Sequence, residues 1–180
     1  DLTLDLIETI STTKSKKLIA KVEPLKTTGN TVDAFKETLY GGDSQQGRDY
    51  FMNNSTGQCI RCHAASGNGS TVGPNLANIG NILTREQILE AMIEPSARLS
   101  PGFGTVSLFL KDGQNVTGTL LEEHEEKLIL QTSEAEPLEI TISRIEKRQN
   151  IPSSMPPMGT LMSKREIRDM VEFLANRKGD

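Results

Sequence analysis

Cys59 and Cys62 stand three positions apart and His63 follows at once, in the run Cys59-Ile60-Arg61-Cys62-His63. Residues at i and i+3 share one side of a helical turn. Two thiols placed this way can add to the two vinyl groups of a single haem while the histidine at i+4 points at its iron. The chain holds 2 cysteines, both in this motif, which is too few and too close for a disulfide framework. Zinc prefers four Cys or His ligands, and the other histidine, His124, has no further cysteine to complete a site. A thioredoxin-like dithiol should follow a strand and open a βαβ helix, whereas a polar, glycine-bearing stretch from Asn53 to Gly57 precedes Cys59. The expected cofactor is therefore one covalently bound haem c, with His63 as an axial ligand of its iron.

A haem that shuttles electrons without large reorganisation needs a second axial ligand, and a methionine thioether is the usual choice because it raises the potential. Of the 6 methionines, Met52, Met92 and Met170 occupy apolar helix positions suited to a core, and Met162 suits a helix entry. Met155 and Met158 lie in Ile151-Pro152-Ser153-Ser154-Met155-Pro156-Pro157-Met158-Gly159, which proline keeps out of helix. Pro156 and Pro157 stiffen the chain just after Met155 and lower the entropy lost in holding its sulfur on the iron. Met155 is preferred over Met158 as the second metal ligand.

The elements that must position these groups show in the periodicity. Residues 1–26 carry apolar positions at helical spacing and read as two short helices ending at Pro24. A turn-rich break at Thr27-Thr28-Gly29-Asn30 precedes a short helix from Val32 to Leu39, and a further helix is expected from Ser44 to Met52. Residues 66–81, rich in glycine and asparagine, read as an irregular loop. Thr84 with Gln87, and Ser163 with Glu166, are capping boxes that open helices. Between those helices, residues 103–146 switch to the alternation of strands, with Asp112-Gly113 as a turn, and predict a small antiparallel β module of about four strands. His124, among Glu122, Glu123, Glu125 and Glu126, reads as a solvated turn.

Composition closes off several classes. Of 180 residues, 35% are hydrophobic and 4% aromatic, with no Trp, so a buried cofactor is expected to supply part of the apolar volume. A net charge of −4 offers no basic field for a nucleic-acid partner or an anionic membrane. No apolar run is long enough to span a bilayer. The start of the chain lacks the form of a signal peptide, and the sequence is read as a piece of a longer protein.

Together, Gly47 and Phe51 on a helix, Cys59-Ile60-Arg61-Cys62-His63, Gly73-Pro74-Asn75-Leu76, Met155-Pro156-Pro157 and a terminal helix resemble class I cytochrome c. The resemblance implies a mainly α class I fold, here with an inserted antiparallel β module (α+β). It implies that the Gly47/Phe51 helix meets the Val171/Leu174 helix, and that the Pro74 carbonyl accepts a hydrogen bond from His63 Nδ1–H. Residues 35–176 more closely resemble the haem-binding domain first described in Planctomycetes, at the C-terminus of large dehydrogenase-like exported proteins. The matching text includes Gly42-Asp43, Gly47-Arg48, Val72-Gly73-Pro74-Asn75-Leu76, Thr84-Arg85-Glu86, Glu94-Pro95-Ser96-Ala97, Lys111-Asp112-Gly113 and Ser153-Ser154-Met155-Pro156.

On this reading residues 1–28 are a helical segment that ends a helical-repeat region. Residues 29–102 are the first part of the cytochrome core, 103–150 the β insert, and 151–180 the axial-methionine loop and last helix. The resemblance implies a non-enzymatic electron-transfer domain, of the kind that forms part of a larger oxidoreductase. It would take electrons from a fused or partner dehydrogenase and pass them to a cytochrome or an oxidase-side acceptor, in the periplasm or otherwise outside the cytoplasm. The alternative is a haem-based sensor or small-molecule-binding domain with a displaceable sixth ligand. A third reading makes the haem a structural staple in an interaction module.

Overall fold

The computed structural model describes residues 3–66 and 68–179, apart from the side chains of residues 66 and 68. Two compact units result, one from the chain up to Glu94 and from Pro157 onward, the other from Pro95–Pro156.

The first unit is helical. Helices α1 (Thr3–Ser11) and α2 (Lys16–Val22) pack on each other and bury Leu4, Ile7 and Val22, and a 3-10 segment follows at Val32–Thr38. Helix α3 (Ser44–Asn53) begins at Asp43, whose carboxylate accepts from Gln45 N at 2.8 Å and Gln46 N at 3.1 Å. These contacts satisfy donors that the first helical turn leaves unpaired. Cys59–Arg61 forms a 3-10 turn, and residues 66–81 hold more structure than their composition suggests. A short antiparallel pair, β1 (Ala64–Ser66) with β2 (Asn68–Gly69), is followed by helix α4 (Ile79–Ile82).

Helix α5 (Arg85–Ile93) and helix α6 (Lys164–Ala175) both open with the expected capping boxes, Thr84/Gln87 and Ser163/Glu166. The apolar face of α5 buries Ile88, Leu89, Met92 and Ile93, and that of α6 buries Ile167, Met170, Val171, Phe173 and Leu174.

Helix α6 organises this unit because α3, α5 and the Val32–Thr38 segment all lean on it. The α3 crossing depends on Gly47. A Cβ there would collide with the Asp169 carbonyl oxygen and stand 2.7 Å from Phe173 Cβ, so the bare backbone lets the helices touch. One turn later Phe51 meets Phe173, ring centroids 5.7 Å apart and tilted by 52°, a favourable aromatic geometry. On the other side, Arg85 grips Glu172 with two hydrogen bonds, of 2.8 and 3.0 Å, and donates a third to the Leu39 carbonyl at 3.0 Å.

The second unit is a five-stranded antiparallel sheet of β3 (Gly104–Leu110), β4 (Asn115–Glu123), β5 (Lys127–Gln131), β6 (Leu138–Thr141) and β7 (Ile145–Asn150), in the order β6-β5-β4-β3-β7. Alternation places Val106, Leu108, Leu110, Leu120, Leu128, Leu130 and Ile140 in one core, with Leu99, Val116 and Ile145 against it. The fifth strand exceeds the expected four. Its sequence, Ile-Glu-Lys-Arg-Gln-Asn, lacks an alternating apolar face because β7 is an edge strand, paired with β3 alone. Charged side chains there discourage pairing with other chains.

Candidate haem-attachment site

The end of α3 sets up the Cys motif. Asn54 Oδ1 accepts from Thr56 N at 2.8 Å and Gly57 N at 2.7 Å, closing a tight turn. Gln58 then takes a left-handed backbone, φ 48°, a conformation that side chains other than glycine and asparagine rarely adopt. From this pivot the chain winds one tight turn, in which Cys62 N and His63 N both donate to the Cys59 carbonyl, at 3.1 and 2.9 Å. Cys59 and Cys62 are free thiols, the first half-buried and the second exposed. Burial pushes the Cys59 thiol up, the opposite of the depressed value that activates a catalytic dithiol.

The loop after the motif folds back onto it. Gly73 N donates to the Cys62 carbonyl and Leu76 N to the Ala64 carbonyl, both at 2.6 Å. These two bonds bring Pro74 O to 2.8 Å from His63 Nδ1. A carbonyl only accepts, so Nδ1 carries the proton and Nε2 keeps its lone pair free for a metal. Gly73, to which sequence reasoning gave no role of its own, makes the approach feasible. A Cβ on it would lie 2.7 Å from His63 Cε1 and 3.0 Å from Nδ1. Only the fold-back reveals this, since the two residues are ten positions apart.

The donor set fits a covalent haem: two unpaired thiols on one turn and an imidazole with one nitrogen engaged and the other free. The zinc alternative lacks ligands, because among the described residues no three His, Cys, Asp or Glu side chains gather into a metal-holding group. Arg61 is exposed, and so is His124, whose Nε2 lies 2.8 Å from Glu122 in the β4–β5 turn.

The methionines divide sharply. Met92, Met158, Met162 and Met170 are all buried, at 2–6% exposure, whereas Met52 on α3 and Met155 are half-buried. Met155 belongs to the second unit by its contacts, at the end of Pro95–Pro156. Its N–H donates to Ser153 Oγ at 3.1 Å, and Ser153 N donates to Ser96 Oγ at 3.0 Å. Met158 belongs to the first unit.

Residues 44–115 match the cytochrome c family model. Over that stretch the chain is similar to cytochrome c, a family of electron-transfer modules that hold haem c covalently. The matched stretch includes Cys59, Cys62, His63 and Pro74 and stops in the β3–β4 region, short of Met155 and α6. Between α5 and those later residues lies most of the five-stranded unit, a separation in sequence that a continuous match does not cross. No curated protein matches the chain. Among the described residues no helix is long and apolar enough to cross a membrane.

Proposed function

We propose that this chain is a monohaem c-type cytochrome domain with thioether links at Cys59 and Cys62 and with His63 and Met155 on the iron. It carries single electrons from a fused or partner dehydrogenase to a second redox protein outside the cytoplasm. The observation that carries the reading is the 2.8 Å contact between His63 Nδ1 and the Pro74 carbonyl. It fixes the ring tautomer and orients the imidazole, the task of groups behind a metal-bound histidine.

Bound haem would supply the one-electron couple, while the protein's residues attach it, orient it and tune it. Cys59 and Cys62 would add across the vinyl groups, each sulfur bonding to carbon as its proton goes to the neighbouring vinyl carbon. Met155 is assigned over Met158 because Met158 is spent in the core at 4% exposure, while Met155 is half-buried on a proline-flanked loop. In the same reading the β unit is an insert within a cytochrome core of the Planctomycetes type, and residues 1–28 are the end of a preceding helical region.

The ferric spectrum of the holoprotein tests this, recorded beside Met155→Ala and Met158→Ala. A weak near-red iron–thioether band that disappears in Met155→Ala and survives in Met158→Ala is the expected result. A wild type without that band that readily binds carbon monoxide or cyanide would replace the carrier with a haem sensor or small-molecule site.

A further inference from the structure

The chain just after Met155 is held by residues far upstream. Met158 opens a 3-10 turn, Met158–Thr160, and its carbonyl accepts from Leu161 N at 3.0 Å and Met162 N at 2.9 Å. Beside it Gly159 lies against Phe35 so closely that an added Cβ would stand 2.8 Å from ring atom Cζ and 3.0 Å from Cε2, with Ile93 Cδ1 at 3.3 Å. Phe35 is 3% exposed.

Beside that ring is a half-buried polar clamp. Lys164 Nζ lies 5.5 Å from the Phe35 ring centroid. It donates to the Thr27 carbonyl at 2.6 Å, to Thr27 Oγ1 at 2.9 Å and to Glu37 Oε1 at 2.5 Å. The Glu37 side chain is only 6% exposed, and its other oxygen is 2.6 Å from Thr27 Oγ1. All three ammonium donors have acceptors, so the partly shielded pair holds its partners in one geometry. Residues 27–38 are thereby tied to the first turn of α6 and present Phe35 as a fixed wall for Gly159.

We propose that Phe35, backed by Lys164 and Glu37, is a positioning residue for the Met155 thioether. It locks the seat on which the methionine loop ends. Two prolines, Pro156 and Pro157, are all that separates Met155 from Met158, and their fixed φ leaves little slack between anchor and sulfur. The inference rests on Met155 as an axial ligand and assigns a role to residues 27–38, which lie outside the stretch matching cytochrome c.

The test is a pH titration of the near-red iron–thioether band in the ferric holoprotein, with the thermal midpoint recorded alongside. Phe35→Leu is expected to lose the band about one pH unit lower than wild type, a tenfold shift between bound and released methionine. Asp43→Ala removes the cap of α3, away from the clamp, and should lower the thermal midpoint while leaving the band's pH unchanged. If Phe35→Leu yields no haem protein, Lys164→Met is judged by the same criterion. A band lost at the wild-type pH in the clamp variant, or moved as far by Asp43→Ala, overturns the inference alone. A wild type without the band overturns the ligand assignment, and this inference with it.

Discussion

At the scale of single residues, the site is a matter of how closely a backbone can approach one imidazole. Gly73 presses on the His63 ring and so delivers the Pro74 carbonyl to Nδ1. An alanine there must displace either the loop or the ring by several tenths of an ångström, which weakens that bond. With His63 on the iron as proposed, the carbonyl would make the imidazole a stronger donor and favour the ferric state, so Gly73→Ala should raise the midpoint potential. Loss of about 1 kcal/mol, an ordinary hydrogen-bond contribution, would change the ferric-to-ferrous ratio about fivefold at a fixed potential. Spectroelectrochemistry measures it directly, and an unchanged potential in a fully haem-loaded variant would sever the link between Gly73 and the iron. The cysteine motif was legible in the sequence because covalent chemistry demands a fixed spacing. The job of Gly73 was not, since it exists only once Gly73 N has found the Cys62 carbonyl.

At the scale of elements, helix α6 is fastened to α3 by close packing and to α5 by a charged clamp. These two fastenings respond differently to pH. Gly47→Ala puts a Cβ into the Asp169 carbonyl, and overpacking of this kind typically costs about 1–3 kcal/mol. Its loss of thermal stability should be nearly constant between pH 4 and 8, as followed by far-ultraviolet dichroism.

The Arg85–Glu172 pair behaves otherwise. The Arg85 guanidinium holds the Glu172 carboxyl below the usual carboxylate range. A depressed carboxylate contributes stability that is present above its unfolded value, near 4.3, and is lost as pH falls through its folded value. Glu172→Gln should therefore cost about 1–2 kcal/mol at pH 7 and progressively less below about pH 4. A penalty that stays constant into acid would show that the clamp acts through packing rather than charge.

Helices with capping boxes were the most legible elements, because Thr84/Gln87 and Ser163/Glu166 write both partners of the cap into the sequence. Strand β7 left no such trace. An edge strand buries little and need not alternate, so its existence depends on the hydrogen bonds that β3 offers.

At the scale of the molecule, the chain leaves one compact unit after Glu94, builds another, and returns at Pro157. Each has its own core. The sheet core of Val106, Leu108, Leu110, Leu120, Leu128, Leu130 and Ile140 packs against Leu99, Val116 and Ile145 of the same unit, whereas the Cys motif and the Pro74 acceptor sit in the helical unit. The change from helical to alternating periodicity near residue 103 was readable, since a period of 2 cannot serve a helix. Seating of Phe35 on Gly159 was not, because nothing in two distant, separately unremarkable segments marks them as neighbours.

Separate cores predict separable melting. Leu108 is fully buried at 0% exposure, and Leu108→Ala should destabilise its unit by about 2–5 kcal/mol, the range for truncating a buried leucine. Calorimetry with the haem absorbance recorded in parallel should find the β-rich transition lowered while the haem-linked transition keeps its midpoint. If both fall together, the two transitions are coupled, and the sheet between α5 and Met155 contributes to holding the helical unit folded.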